Sequence, residues 1–462
     1  MTDIEGALSR ADQNLDSSLE KLFELLRIKS ISTDPAFKAD CKQAAEWLVS
    51  YLTGLGFDAS LRETPGHPMV VAHHAAGVAG APHVLFYGHY DVQPVDPIEL
   101  WENDPFSPTI KEVAAGHKVL TGRGTSDDKG QLMTFVEACR AYKETNGTLP
   151  IEITILFEGE EESGSPSLKP FLEANAAELK ADYALVCDTG MWDRQTPAIA
   201  AALRGLVGEE VIVTAASRDL HSGLYGGAAA NPIHILSSIL AGLHDDSGRV
   251  TLPGFYDGVE ETPENIKQSW ETLGRSAETF LSDIGLSVPA GEKGRSVLEM
   301  TWARPTAEVN GIQGGYTGEG FKTVIASKAS AKVSFRLVGK QDPAAIRESF
   351  RTYVRSKLPA DCTAEFHPHG ASPAIQLSYD SPFLSKAKEA LSDEWPQPAV
   401  VIGMGGSIPI VGDFQKMLGM ESLLVGFGLA DDRIHSPNEK YELVSFHKGI
   451  RSWIRILNAL AA

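Results

Sequence analysis

No stretch of this sequence concentrates lysine and arginine, and basic residues are outnumbered overall: 41 against 61 acidic residues, a formal net charge of −20 over 462 residues. A chain so acidic repels a phosphate backbone, which removes nucleic acid from the expected partners. Long apolar runs are also missing. Nowhere do about 18 apolar residues follow one another, so no membrane span and no membrane partner is expected. The start, MTDIEGALSRADQNLDSSLEKL, is acidic where a secretory leader needs a basic start and an apolar core, and export by that route is not expected. Cysteine is scarce. Cys41, Cys139, Cys187 and Cys362 stand apart without C-x-x-C spacing, which reads as reduced core thiols rather than a disulfide framework. The cytoplasm is the simplest compartment.

Apolar residues make up 43% and charged residues 22%, the texture of an ordinary globular protein that is too long for one core. Helical spacing runs over 15–26 and 41–55, and a third apolar face is formed by Leu132, Phe135, Val136, Cys139 and Tyr142. Short buried runs at 83–88 (HVLFYG), 151–159, 182–187 and 422–428 read as strands. Strand and helix alternate, which predicts an α/β fold with a mostly parallel sheet flanked by helices. Between 204 and 373 the texture changes to strands with one wetter face, a helix near 231–243 and a polar stretch from 244 to 305. The expected organisation is a first domain over 1–203 that resumes over 374–462, with a second α+β domain inserted at 204–373.

Chemistry gathers after the buried runs. HVLFYG leads into His89, Tyr90 and Asp91; 151–159 into Glu160, Glu161 and Glu162; 182–187 into Asp188; and 422–428 through a short loop to His435. A fifth cluster, GRGTSDDKG at 122–130, opens a helix with Asp127 and Asp128. Ligands of open parallel sheets bind at the carboxyl ends of the strands, so all five clusters are expected to meet in one crevice. Any one of these residues has an ordinary alternative: a hydrogen-bonded histidine, a solvated acidic loop, a helix cap. Their joint placement is harder to explain that way. Carboxylates and imidazoles gathered in one place repel and desolvate badly unless a cation neutralises them, and this donor set suits zinc or a neighbouring divalent ion. Five ligands exceed the usual three of one catalytic zinc, which points to two ions about 3.5–4 Å apart sharing a carboxylate. Of the neighbours Glu161 and Glu162, one is then free to handle protons.

The motifs GHYDVQP at 88–94, W-x-x-x-P-F at 101–106, GRGTSDDKG at 122–130, EGEEESGS at 158–165, RDLHSG at 218–223, SFRLV at 334–338 and HSPNE at 435–439 resemble, in this order, those of the dinuclear zinc metallopeptidases. That family includes carnosinase, cytosolic nonspecific dipeptidase, glutamate carboxypeptidase, aminoacylase and succinyl-diaminopimelate desuccinylase; the dipeptidase branch is the best match. The resemblance covers nearly the whole chain. It implies that Asp127 bridges two divalent ions, most simply zinc with manganese or cobalt as alternatives. Glu162 and His435 would complete one site, His89 and Asp188 the other. Asp91 would fix the tautomer of His89, Glu161 would be the general base, and the Asp127–Asp128 peptide would be cis. In the inserted domain, which the resemblance makes a lid and dimerisation domain, His221 would stabilise the oxyanion from the partner of a homodimer. Asn310, Arg336, His369 and Ser407 would bind substrate, Arg336 by taking its free carboxylate. Met404 departs from the pattern, standing where the eukaryotic dipeptidases carry an acidic residue. The expected activity is hydrolysis of the amide bond of dipeptides or similar small substrates with a free carboxylate. An N-acyl amino acid hydrolase using the same centre, or a non-catalytic binding protein on the same fold, are the rivals.

Overall fold

The structure is a computed structural model and describes all residues except Met1, Ala79, Asp283, Ser407 and Ile408. The chain divides into two compact units, Met1–Ala201 with Leu377–Val401 and Asp413–Ala462, and Ala202–Gln376 with Ile402–Gly412. The last segment differs from the expectation that everything after 373 returns to the first domain. Within that segment Gly403 packs on the Trp302 side chain, whose Cβ an added Cβ would meet at 2.5 Å, and the Met404 carbonyl accepts the Arg204 N–H at 3.3 Å, both partners belonging to the second unit.

In the first unit the sheet strands are β1 (Asp58–Arg62), β2 (Met69–His74), β3 (His83–His89), β4 (Glu152–Glu158), β5 (Tyr183–Val186), β6 (Ala198–Leu203) and β7 (Glu421–Val425). Their order is β1-β2-β4-β3-β5-β7-β6, and the nine-stranded sheet is completed by Ile375–Gln376 and Val400–Met404, which both pair with β6. The four central strands, β4, β3, β5 and β7, are mutually parallel, whereas β1, β2 and β6 pair antiparallel at the flanks. A parallel centre requires crossovers on the faces, so its strands are buried on both sides. Val84, Leu85, Phe86 and Tyr87 of β3 are all at 0% exposure, which is why the sequence shows an unbroken apolar run there and no alternation.

The helices Ile4–Leu26 (α1), Lys129–Asn146 (α2) and Leu443–Ala461 (α3) pack on one another. Phe86 and Phe135 stack with ring centroids 3.7 Å apart, and Trp453 meets both edge-on at 5.5 Å. The Trp453 indole N–H donates to Thr134 Oγ1 at 3.0 Å, satisfying the one polar atom of this core side chain. The C-terminus of α2 is closed by Gly147 at φ 77°, a left-handed position open to glycine at no steric cost; its N–H donates to the Lys143 carbonyl.

The second unit is built on a four-stranded antiparallel sheet in the order Thr306–Gly314, Lys328–Leu337, Gly205–Thr214, Thr363–Ser372. Gly205–Thr214 alternates buried and half-buried at every residue. Its inner positions, Val207, Val211 and Val213, join Phe335, Leu236, Ile346 and Phe350 in a core covered by the helices Pro232–Ala241 and Pro343–Ser356. Glu209 lies on that same inner face, fully buried, and accepts hydrogen bonds from Arg347 Nε at 2.8 Å and from Arg351 Nε and a terminal nitrogen at 2.9 and 2.6 Å. The described residues of the stretch 244–305, which carried no pattern, contain three short helices. The last of these, Val297–Trp302, starts with a reciprocal capping box between Ser296 and Glu299.

Candidate metal centre

The parallel centre sends β3, β4, β5 and β7 out at one edge, and the loops that follow carry the acidic and imidazole side chains. His89 is the last residue of β3 and is fully buried. Asp127 lies in the loop before α2, and its peptide bond to Asp128 is cis. Its two oxygens face two histidines: Oδ1 is 3.1 Å from His89 Nε2, and Oδ2 is 2.9 Å from His435 Nε2. His435 Nε2 also stands 3.2 Å from Glu162 Oε2. Two groups of three result, His89–Asp127–Asp188 and Asp127–Glu162–His435, and within each the ligand atoms lie within 4.8 Å of one another. Asp127 belongs to both.

Electrostatics suit a cation. Asp188 is pushed up to about 7, first by burial and then by the charge of Asp127. Asp127 is itself buried, yet the hydrogen bonds from His435 and His89 hold it below the usual carboxylate range. His435 is raised to about 10 by its bonds to Asp127 and then Glu162. Burial works against charge on His89, but Asp127 and Asp91 outweigh it and hold the imidazole well above its ordinary value. In the metal-free protein the surrounding carboxylates thus favour protons on both imidazoles. Divalent ions would displace those protons and take the same donor atoms. Glu162 Oε1 fits that exchange, being buried without a hydrogen-bond partner while Oε2 accepts from Gln93 Nε2 at 2.7 Å. Three carboxylates and two imidazoles with no thiolate form a donor set proper to zinc, manganese or cobalt.

Asp91 fastens this arrangement from behind. Fully buried, it places Oδ1 3.4 Å and its backbone carbonyl 3.1 Å from His89 Nδ1, so Nε2 is the nitrogen turned to Asp127. Its carboxylate also accepts the backbone N–H of Glu161 at 3.3 Å and of Glu162 at 3.0 Å, and the Ser32 hydroxyl at 2.6 Å. One carboxylate therefore holds both an imidazole and the turn carrying the two glutamates. Glu161 is outside both ligand groups, and its pKa is raised, chiefly by burial, with His89 opposing and Glu162 reinforcing the shift. Gln93 and Ser32 were not singled out by sequence. Gln93 stands in the GHYDVQP motif and had a signal, whereas Ser32 reaches Asp91 across 59 positions and had none.

The remaining candidates lie in the second unit. His221 is exposed at the end of a two-residue strand, and its Nδ1 accepts the N–H of Gly223 at 3.0 Å. Asn310 is exposed at a bulge in Thr306–Gly314. Arg336 is half-buried on the face of Lys328–Leu337 opposite Phe335 and Leu337. His369 is exposed at the bulge of Thr363–Ser372, with Nε2 3.9 Å from Glu210, and its carbonyl accepts from Arg347 at 2.7 Å. Ser407 lies outside the described residues.

Residues 85–459 match the model of peptidase family M20/M25/M40. The chain belongs to this family. Among its M20 relatives, the Cys-Gly metallodipeptidase DUG1 of Candida albicans is 29% identical over 453 residues, covering 94% of this chain and 92% of the relative. The human Beta-Ala-His dipeptidase is 29% identical over 379 residues, covering 80% and 73%. Among solved structures, the M20 family metallo-carboxypeptidase Sso-CP2 from Sulfolobus solfataricus superposes with a TM-score of 0.78 at 30% identity, covering 96% of this chain and 99% of that one.

Proposed function

We propose that this M20 peptidase is a dinuclear-metal dipeptidase that cleaves small peptides with a free C-terminal carboxylate. The observation that carries the reading is the double membership of Asp127, whose two oxygens face the imidazoles of two separate ligand groups. His89 and Asp188 would hold one ion, Glu162 and His435 the other, with Asp127 between them. When bound, the ions supply Lewis acidity toward the scissile carbonyl and lower the pKa of a water. Glu161 takes the proton of the attacking water and returns it to the leaving amine; its raised pKa suits both directions of transfer. His221 donates to the oxyanion as charge develops, and Arg336 offers the planar fork that matches a carboxylate. Asn310, His369 and Ser407 complete the substrate contacts. The relatives that act on Cys-Gly and on Beta-Ala-His support a dipeptide over a longer chain. The proposal extends to zinc as the resident metal, to a homodimer formed through the second unit, and to the cytoplasm, where four buried free cysteines would stay reduced.

The deciding experiment removes metal with a chelator, verifies the loss by elemental analysis, and restores zinc, manganese or cobalt singly before assaying free dipeptides beside their N-acyl counterparts. Chelation should abolish hydrolysis, and a metal should restore it on the unblocked dipeptides. Full activity without metal overturns the mechanism, and preference for the N-acyl compounds replaces the dipeptidase with an amidohydrolase.

A further inference from the structure

The loop bearing His435 reaches back onto the loop bearing Asp127 with two acidic side chains. Glu439 is fully buried, and each of its oxygens takes two donors. Oε1 accepts the backbone N–H of Ser126 at 2.9 Å and of Asp127 at 3.1 Å; Oε2 accepts the N–H of Gly124 at 3.0 Å and Arg123 Nη1 at 2.7 Å. Arg123, 1% exposed, uses its other arm on the Pro94 carbonyl at 2.9 Å and lies 5.3 Å from the centre of the Trp101 ring. Beside it, Asp432 accepts from the Ser126 hydroxyl at 2.8 Å and from Lys440 Nζ at 2.7 Å. Neither Glu439 nor Asp432 belongs to either ligand group.

Stability alone is a poor reason for this arrangement, because a buried ion pair gains little over apolar packing of the same volume. Geometry gives a better one. The amides that Glu439 holds run up to and include that of Asp127, and Glu439 itself follows His435 by four residues. One carboxylate therefore fixes the spacing of two ligands that come from loops far apart in the chain. His89 and Asp188 need no such device, since the first ends β3 and the second follows β5 by two residues, and the hydrogen-bonded ladder between those strands sets their distance. We propose that Glu439 is a positioning residue which holds Asp127 against His435 and thereby sets the affinity of the Asp127–Glu162–His435 site more than that of the His89–Asp127–Asp188 site. The inference rests on the dinuclear reading above and deepens it.

Cobalt(II) titrated into the chelated full-length protein tests it, read by visible absorption and by competition with zinc, with no substrate present. In Glu439→Gln, one of the two binding steps should weaken by about 10- to 100-fold, the range for residues that orient metal ligands. The other step should move much less. The absorption bands of the fully loaded protein should change while those of the half-loaded protein stay as in the wild type, a signature that general destabilisation does not produce. Equal weakening of both steps, or of neither, overturns the proposal. Should Glu439→Gln fail to fold, Arg123→Lys carries the same test, because it keeps the three amide donors and the charge but loses the fork; the same step should weaken, and an unchanged titration overturns the proposal. Activity separates this inference from the functional reading. A protein that binds two ions with this selective loss yet hydrolyses no dipeptide keeps the positioning role and loses the dipeptidase; a dipeptidase whose Glu439→Gln titration matches the wild type does the reverse.

Discussion

Glu161 and Glu162 are adjacent in sequence but differ in what surrounds them. Glu162 has one oxygen, Oε2, held by Gln93 and facing His435, and the other buried without a partner; Glu161 belongs to neither ligand group. Glu161→Gln should therefore retain both metals and lose turnover by about 10²- to 10⁴-fold or more, the worth of a general base, whereas Glu162→Gln should release metal. Elemental analysis beside kcat decides, and the reverse pattern exchanges the two roles. His435 gives a second prediction. In the metal-free protein its pKa stands near 10 against an ordinary 6.5, so the stability it contributes is fully present below about 6.5 and is lost as pH rises toward 10. The melting temperature of the chelated protein should fall over that interval, less so in His435→Asn. Metal uptake at pH 7.5 should release the proton, visible with an indicator dye in weak buffer; a silent dye means His435 is not a ligand. Most of these side chains could be read from the sequence because each follows a run of buried residues, and strand ends are where a parallel centre exposes chemistry. What holds them could not. Ser32 on Asp91, and Glu439 on the amides of Gly124, Ser126 and Asp127, are partnerships across 59 and more than 300 positions, and only the folded chain creates them.

At the scale of elements, the apolar runs of the central strands and the helical face of α2 were plain because burial on both faces, or on one stripe, leaves a period in the sequence. The antiparallel flanks β1 and β2 were not singled out. Only β2 carries a buried run, of four residues, and β1 has no buried residue at all. The second unit was legible as a change of texture, yet the clamp inside it was hidden. Glu209 occupies an inward position in an otherwise apolar alternation, and its partners, Arg347 and Arg351, are one helical turn apart on Pro343–Ser356. They fork onto one carboxylate from the same helix face and so fix the helix to the strand. Glu209→Gln removes the charge and leaves two half-buried guanidinium groups poorly paired, a change that costs about 3–5 kcal/mol when a buried pair is broken. Unfolding in denaturant should show that loss, and Arg347→Gln should cost less because one fork remains. If both variants unfold at the wild-type midpoint, the clamp contributes no stability.

For the whole molecule, the two units divide the proposed machinery: the ligand groups and Glu161 belong to the first, His221 and Arg336 to the second. If His221 is supplied by the partner of a dimer, a His221→Ala chain and a Glu161→Gln chain should each be nearly inactive alone and recover when mixed. About half of randomly exchanged dimers are mixed, and each holds one intact site of two, so roughly a quarter of wild-type activity should return. No recovery after verified exchange places His221 in the same chain as the metals it serves.

The sheet order also governs the timing of synthesis. Strand β7 lies between β5 and β6, although some two hundred residues are made between β6 and β7. At about 5–20 residues per second, a ribosome extends the chain for roughly 10–40 s while the slot beside β5 waits for its strand. His435 emerges later still. The nascent first unit must therefore keep an unpaired strand edge from aggregating through the whole translation of the second, and metal cannot close the Asp127–Glu162–His435 group until almost the entire polypeptide has been made. Completion of that group is thereby confined to the end of biogenesis, and a chain arrested between residues 204 and 421 would carry four of the five proposed ligands, His89, Asp127, Glu162 and Asp188, on an open sheet.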